Sequence, residues 1–214
     1  MAPDFKATDF KASVARVVGL AAVACSLLGC PYTAQADPNT SGMHGDPGAA
    51  AAYWRYQKQD RDCGEMAVAD VIGQLTGNEI SEEEIDGAAG NIPSGSHAGP
   101  IYAPGNRTSN RDLPVLLAHY GIASDGIKTD RPALERALDQ GRKVIAGVNN
   151  RILWDEGGDR SRENHFVVVT GIDTRADMVH LNDSGIKAGR DEQVSLATFE
   201  AAWATSGNFA VVTR

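Results

Sequence analysis

The sequence predicts an α+β fold, with helices concentrated in its first half and antiparallel strands in its second. Three observations carry that prediction. Val68, Ile72 and Leu75 recur at helical spacing ahead of a stop at Gly77. Lys143 to Val148 and His165 to Thr170 are short, β-branched runs. Thr174 to Asp177 is a turn, and Met178 to Asn182 returns from it as an antiparallel partner.

Taken in order, the chain opens with an address. Lys6, Lys11 and Arg16 precede an apolar run from Val17 to Leu28, and Ala34-Gln35-Ala36 follows as a small-x-small cleavage site. Residues 1–36 therefore read as a secretory signal cleaved before Asp37. Leu27-Leu28-Gly29-Cys30 loosely resembles a lipobox, but Leu28 is bulky there and Pro31 follows at once, so a lipid anchor on Cys30 is the lesser alternative. Residues 37–53, rich in Gly, Pro and Ala, hold too few large apolar side chains to bury and read as a flexible linker. The domain proper then spans residues 54–214.

Within it, a helix runs from Cys63 to Thr76, started by Asp62 as N-cap with Glu65 completing a capping box. Ser81 opens a second helix, with Glu84 closing its box and Ile80 and Ile85 placed to staple it. Gly90 to Asn110 is a long loop poor in large apolar residues, the kind that rims a site. A third helix covers about Arg111 to Tyr120, with Pro114 in its first turn. Asp130 caps a fourth, which stops at Gly141. After the strands, a helix around Leu196 to Ala204 presents Phe199 and Trp203, and Asn208 to Thr213 is the last strand.

Composition narrows the function. The chain has 28 acidic against 20 basic residues, a formal charge of −8, and no long basic run. Nucleic acid, which is bound by neutralising phosphates, is excluded as a natural partner. No paired-cysteine or His-x3-His spacing marks a metal site, and no cofactor motif occurs. Asp155, Glu156 and Asp159 read as a solvated acidic loop rather than a calcium site. After export, stable membrane insertion is not expected.

Cysteine usage is more informative. Cys25 and Cys30 leave with the signal, and Cys63 stays as the only thiol. An exported chain with one thiol cannot close an internal disulfide, so a reactive role deserves weight. Cys63 begins a helix, where unpaired N–H groups and the macrodipole favour a thiolate, and Gly64 leaves room for a substrate backbone beside it. A thiol nucleophile needs a proton acceptor and a group to orient it. Of five histidines, His165 stands at the mouth of an apolar strand after a polar loop; His44, His97, His119 and His180 read as linker, loop or surface residues. Asp183 ends the next strand, across the hairpin from His165, and Asn182 is its rival as orienter. Strand neighbours face opposite ways, so only one can reach the ring.

Gln57, then Asp62-Cys63-Gly64 at a helix start, then His165 opening a Val-rich strand and Asp183 after the next one, resembles the papain-fold cysteine peptidases. More narrowly it resembles the bacteriocin-processing (double-glycine leader) peptidase-like family in its stand-alone exported form. The resemblance spans about Tyr56 to Thr213. It implies a papain-like fold, with an N-terminal helical half packed on a C-terminal antiparallel sheet. It also implies a Cys63 nucleophile, a His165 base, an Asp183 orienter, and Gln57 joining the Cys63 N–H in an oxyanion hole, with a peptide or protein as substrate. The family's name-giving members are fused to transporters; this sequence carries none, so their leader-peptide substrate is not carried over. Two other readings compete: a cell-wall peptide amidase, whose histidine usually lies nearer the cysteine, and a non-catalytic peptide-binding protein on the same scaffold. Trp154, Tyr102 and the two long loops are the expected cleft walls.

Overall fold

The computed structural model describes residues 42–214; the signal segment, Cys30 and residues 37–41 lie outside the described residues. Seven strands form one antiparallel sheet: β1 (Met43–Gly45), β2 (Ser124–Lys128), β3 (Val144–Val148), β4 (His165–Asp173), β5 (Met178–Asn182), β6 (Glu192–Ser195) and β7 (Phe209–Thr213). Their order is β2-β7-β3-β4-β5-β6, with β1 also paired to β4. The helices are α1 (Pro47–Ala50), α2 (Cys63–Thr76), α3 (Glu82–Ala89), α4 (Leu113–His119), α5 (Arg131–Asp139), α6 (Asn150–Leu153) and α7 (Leu196–Ala204). Among the described residues no helix is long and apolar enough to cross a membrane.

The central strands β3, β4 and β7 are almost continuously apolar because both sheet faces are covered there. Ile145, Phe166, Val168, Phe209 and Val211 pack against α2, α3 and α4. Their neighbours Val144, Ala146, Val148, Val167, Val169, Ala210 and Val212 face the other way, against α5 and α7, where Phe199 and Trp203 stack. The expected picture of a helical half on a sheet therefore needs one addition: α5 and α7 form a third layer.

Residues 42–53 are not the linker their composition predicts. Met43, His44 and Gly45 pair with Asp173, Ile172 and Gly171 of β4. Asp46 caps α1 by accepting from the Ala49 N–H (3.0 Å), with Pro47 in the first turn. Gly45, at φ 94°, lies so close to β4 that a Cβ would sit 2.4 Å from the Thr170 carbonyl. The segment is held by backbone pairing and caps, which bulk hydrophobicity does not reveal.

The helix starts at Cys63 and Ser81 fall where expected, and Gly77 ends α2 in the left-handed conformation. The capping box at Asp62, however, does not form. The Asp62 side chain makes no cap hydrogen bond, and Glu65 instead accepts from the Thr108 hydroxyl. Both carboxyls turn into the interior because Thr108 and the helix α3 acids face them there. Helix α4 begins at Leu113, later than its pattern predicts, because the buried Asp112 accepts from Ser94 Oγ (2.6 Å) and the Gly95 N–H (2.8 Å). That bond, with the Thr108–Glu65 contact, pins the long 90–110 loop beside the start of α2.

Candidate active site

Cys63 is the first residue of α2, buried at 7% exposure and not in a disulfide. Gly64 serves a different purpose from the one its size predicts. A Cβ there would meet Leu113 at 3.0 Å, Thr108 at 3.3 Å and Phe166 at 3.4 Å, so the glycine lets α4, the loop and β4 close on the helix.

His165 opens β4 and is buried. Its Nε2 lies 2.7 Å from Asp183 Oδ1, and Cys63 is near enough to the ring to help raise its pKa. Cys63, His165 and Asp183 are thus brought together in the order a thiol triad requires. Asn182 is turned the opposite way, as strand alternation demands: its Nδ2 donates to the Ala50 carbonyl (2.9 Å) and to Asp70 (2.8 Å).

Asp183 itself is fully buried and held on every side. Oδ1 accepts from the Gly185 N–H (2.7 Å), Oδ2 from Trp154 Nε1 (3.1 Å), and its carbonyl from Trp54 Nε1 (2.6 Å). Trp154 also sits edge-on to the His165 ring, centroids 5.3 Å apart. It is therefore a positioning residue rather than the expected wall, since it does not line the cavity that holds Cys63 and His165. Tyr102, the other expected wall, lines a separate cavity with Glu82, Glu83 and Asp86. The turn after β5 does double duty: Ser184 Oγ donates to Gln57 Oε1 (2.9 Å), and the Gln57 N–H donates to the Ser184 carbonyl (2.9 Å). Gln57 Nε2 donates one hydrogen to the Gln59 carbonyl (3.1 Å), which leaves its second hydrogen free. Gln57 is thus tied to the triad through the Asp183–Ser184 pair, and it does not line the cavity that holds Cys63 and His165. Ser184 and Trp54 escaped the sequence reading, which gave Trp154 only as a cleft wall; the polar Asn-Asp-Ser-Gly turn was the one hint at their role.

None of the other histidines lines the cavity with Cys63, although His44 is not the linker residue expected but part of β1. His180 pairs with Asp191 (2.7 Å), His44 pairs with Asp139 (3.0 Å), and His119 lies edge-on to Tyr120. In the 155–164 loop, Asp155 and Glu156 pair with Arg160 and Arg151, and Asp159 accepts from Ser161. Among the described residues no cluster of three acidic, His or Cys side chains is disposed to hold a metal.

Electrostatics favour a charged imidazole. Burial alone would depress the His165 pKa, but the fields of Asp183 and Cys63, with hydrogen bonds to both, hold it well above the usual value. Burial works to raise Asp183, yet the charge and hydrogen bond of His165, with the Gly185 N–H and Trp154, keep it below the ordinary carboxylate range. Nearby carboxyls behave oppositely. Burial and the charges of Asp86 and Glu82 push Asp62 up to about 8. Burial pushes Glu65 to about 8, and burial with the charge and hydrogen bond of Asp183 does the same for Glu192. A protonated Asp62 places no negative charge beside Cys63.

These shifts fix the sign of a pH dependence. Asp62, Glu65 and Glu192 hold their protons more tightly folded than unfolded, so stability falls as pH rises from about 4 to about 8. The raised His165 contributes fully below its unfolded value of 6.5 and loses that contribution as pH rises through its folded value. The lowered Asp183 runs the other way, as do Asp125, Asp159 and Asp173, each losing its contribution as pH falls below its unfolded value of 3.8. Thermal melts are therefore expected to show a higher Tm at about pH 5 than at about pH 8.5. Asp62→Asn is expected to flatten that slope; a Tm that rises with pH over this window would contradict the assignment.

Known proteins agree with this architecture. A Bacillus anthracis protein named as a C39-like peptidase superposes with a TM-score of 0.58 at 18% identity, covering 77% of this chain and 95% of its own. The peptidase domain of Streptococcus ComA, a bifunctional ABC transporter, gives 0.52 at 18% identity, covering 75% of this chain and 98% of its own. A double-glycine motif protease of an AMS/PCAT transporter, solved with its leader peptide, gives 0.51 at 14% identity over 75% of this chain and 89% of its own. At these identities the likeness establishes the fold, that of C39 peptidases. In sequence, uncharacterized proteins of Mycobacterium tuberculosis and Mycobacterium bovis are 41% identical over 231 residues, covering 96% of this chain and 99% of theirs. Residues 31–211 match the Peptidase_C39 like family, and the chain belongs to that family.

Proposed function

We propose that this protein is an exported cysteine peptidase that hydrolyses peptide or related amide bonds through Cys63, His165 and Asp183. The observation that carries the reading is the buried relay of Cys63 to His165 to Asp183 Oδ1, in a member of a cysteine-peptidase family. With Nε2 committed to Asp183, Nδ1 faces the thiol. The Cys63 sulfur attacks the carbonyl carbon, an S–C bond forms, and the carbonyl electron pair moves onto oxygen. The Cys63 N–H at the helix start is a donor for that oxyanion, and Gln57, outside the cavity lining, is the second donor that the family resemblance implies. Collapse breaks the C–N bond, and the His165 Nδ1 proton passes to the leaving amine. Water then attacks the thioester, giving its proton to His165, and the acid product and the thiol are released.

The export reading rests on the basic, apolar and small-x-small order of residues 1–36. A lipid on Cys30 is the outcome of an intact-mass measurement that would replace cleavage before Asp37. For activity, a peptide library is expected to yield new carboxyl termini with native protein and none with Cys63→Ala. Equal hydrolysis by both would refute the assignment, and folded native protein that cuts nothing would favour a peptide-binding role.

A further inference from the structure

A cavity of about 150 Å³ opens directly on the catalytic pair, lined by Cys63 and His165 and walled by Arg61, Arg107, Asn110 and Glu163. Its size fits one side chain rather than a whole ligand. Its charge runs against that of the molecule. The chain carries a formal charge of −8, yet two arginines line this cavity. Other arginines, such as Arg55, Arg131, Arg151, Arg160 and Arg214, are neutralised by carboxylates. Arg61 and Arg107 are not.

Each is placed without a competing anion. Arg61 sits at φ 72°, a backbone conformation that residues with a Cβ rarely adopt, and its Nη1 donates to the Gly105 carbonyl of the pinned loop. Among the described residues its Nε and Nη2 have no partner, and Arg107 makes neither hydrogen bond nor ion pair. Glu163, the one acid on the wall, is drawn aside. Its Oε1 accepts from Asn110 Nδ2 (3.3 Å), and its Oε2 lies against β3, where a Cβ on Gly147 would stand 2.5 Å away. Burial also raises its pKa. The glycine in the Val-Ile-Ala-Gly-Val strand thus gives Glu163 a place to turn away from the arginines.

Resting on the peptidase reading above, we infer that this cavity is the specificity subsite and takes a carboxylate, carried by the substrate residue adjoining the amide that Cys63 attacks. Guanidinium forks without an anionic partner suit a carboxylate, and at this exposed mouth they are free to turn onto it. The carboxylate can belong to an Asp or Glu side chain or to a free peptide C-terminus. A cationic residue is disfavoured at the same place.

The test uses the full chain and two readouts. In the first, matched peptides carry Glu, Gln or Lys at each position around the cleaved bond, with free or amidated C-termini. Native protein is expected to show kcat/KM about tenfold or more higher for Glu than for Gln at one adjoining position. A preference that vanishes on amidation instead assigns the terminal carboxylate. Arg107→Glu, an exposed and unpartnered position, is expected to invert the order in favour of Lys. The second readout needs no turnover: alkylation of Cys63, in which sulfur displaces iodide, by anionic iodoacetate against neutral iodoacetamide. The iodoacetate-to-iodoacetamide rate ratio is expected to exceed that of free cysteine and to drop several-fold in Arg107→Glu. A Glu-to-Gln ratio near one, or one indifferent to Arg107→Glu, overturns the subsite while leaving thiol hydrolysis standing. If no peptide is cut, the peptidase reading fails, and the alkylation ratio alone decides: no excess over free cysteine overturns the carboxylate site, and an excess that Arg107→Glu removes upholds it.

Discussion

Asp183→Ala is expected to lower turnover by about a hundredfold or more, in line with losing an oriented general base. The residue is the single acceptor for His165 Nε2, the Gly185 N–H and Trp154 Nε1. Truncation strands all three donors in a buried space and removes the charge that holds the His165 pKa up. Breaking a buried pair of this kind also costs about 3 kcal/mol of stability. Asn182→Ala provides the contrast. It leaves the Ala50 carbonyl and Asp70 short of a donor, a loss of about 1–3 kcal/mol, with the His165–Asp183 pair untouched. Its turnover, measured well below its melting transition, should stay near native. Equal kinetic losses in the two variants would remove Asp183 from the triad.

Gly189→Ala is expected to do comparable damage without deleting any catalytic group. The Asp183 N–H donates to the Gly189 carbonyl (2.8 Å), so the two backbones lie against each other. A Cβ at Gly189 would fall 1.9 Å from the Asp183 carbonyl oxygen, 2.8 Å from its carbon and 3.0 Å from the Ile186 oxygen. Those are backbone atoms, and no rotamer change relieves the overlap. The 183–189 turn must open, which carries the Asp183 carboxylate off His165 and its carbonyl off Trp54. A loss of about 3 kcal/mol or more is expected, with turnover falling toward that of Asp183→Ala. Gly87→Ala is the control, since a Cβ there meets nothing within 4 Å. Gly189→Ala protein with native Tm and native kcat would show that the turn does not position the acid.

Most of the central architecture was legible because it rests on local patterns. The α2 stripe, the Ser81 cap and the β-branched runs of β3 and β4 each state their own structure. The placement of Cys63, His165 and Asp183 was legible for a related reason: a thiol at a helix start, a histidine opening a strand and an acid ending the next one are positions, and the topology carries them together. What escaped depends on partners far away in sequence. Ser-Asp-Gly-Ile-Lys forms β2 only because β7 offers an edge to pair with, and β6 exists by pairing with β5. Residues 42–53 belong to the fold through β4 backbone contacts, although the Asp46-Pro47 cap signature lay in plain view. Asp62 and Glu65 matched a capping box by spacing, but the interior claimed both side chains. Gly189 and Gly185 look like ordinary loop glycines until the carbonyl and the imidazole that need their missing Cβ are placed beside them.

The central claim is that Cys63 forms a covalent acyl intermediate under the control of His165. The most direct measurement is acid-quenched mass spectrometry of the intact protein during turnover of a cleavable peptide or its activated ester. Native protein is expected to carry the acyl mass on the Cys63 peptide, in a bond that hydroxylamine cleaves as a thioester. His165→Ala should accumulate it far more slowly, and Cys63→Ala not at all. Peptide cleavage with no acyl mass on Cys63, or an adduct that forms equally fast without His165, would contradict the account.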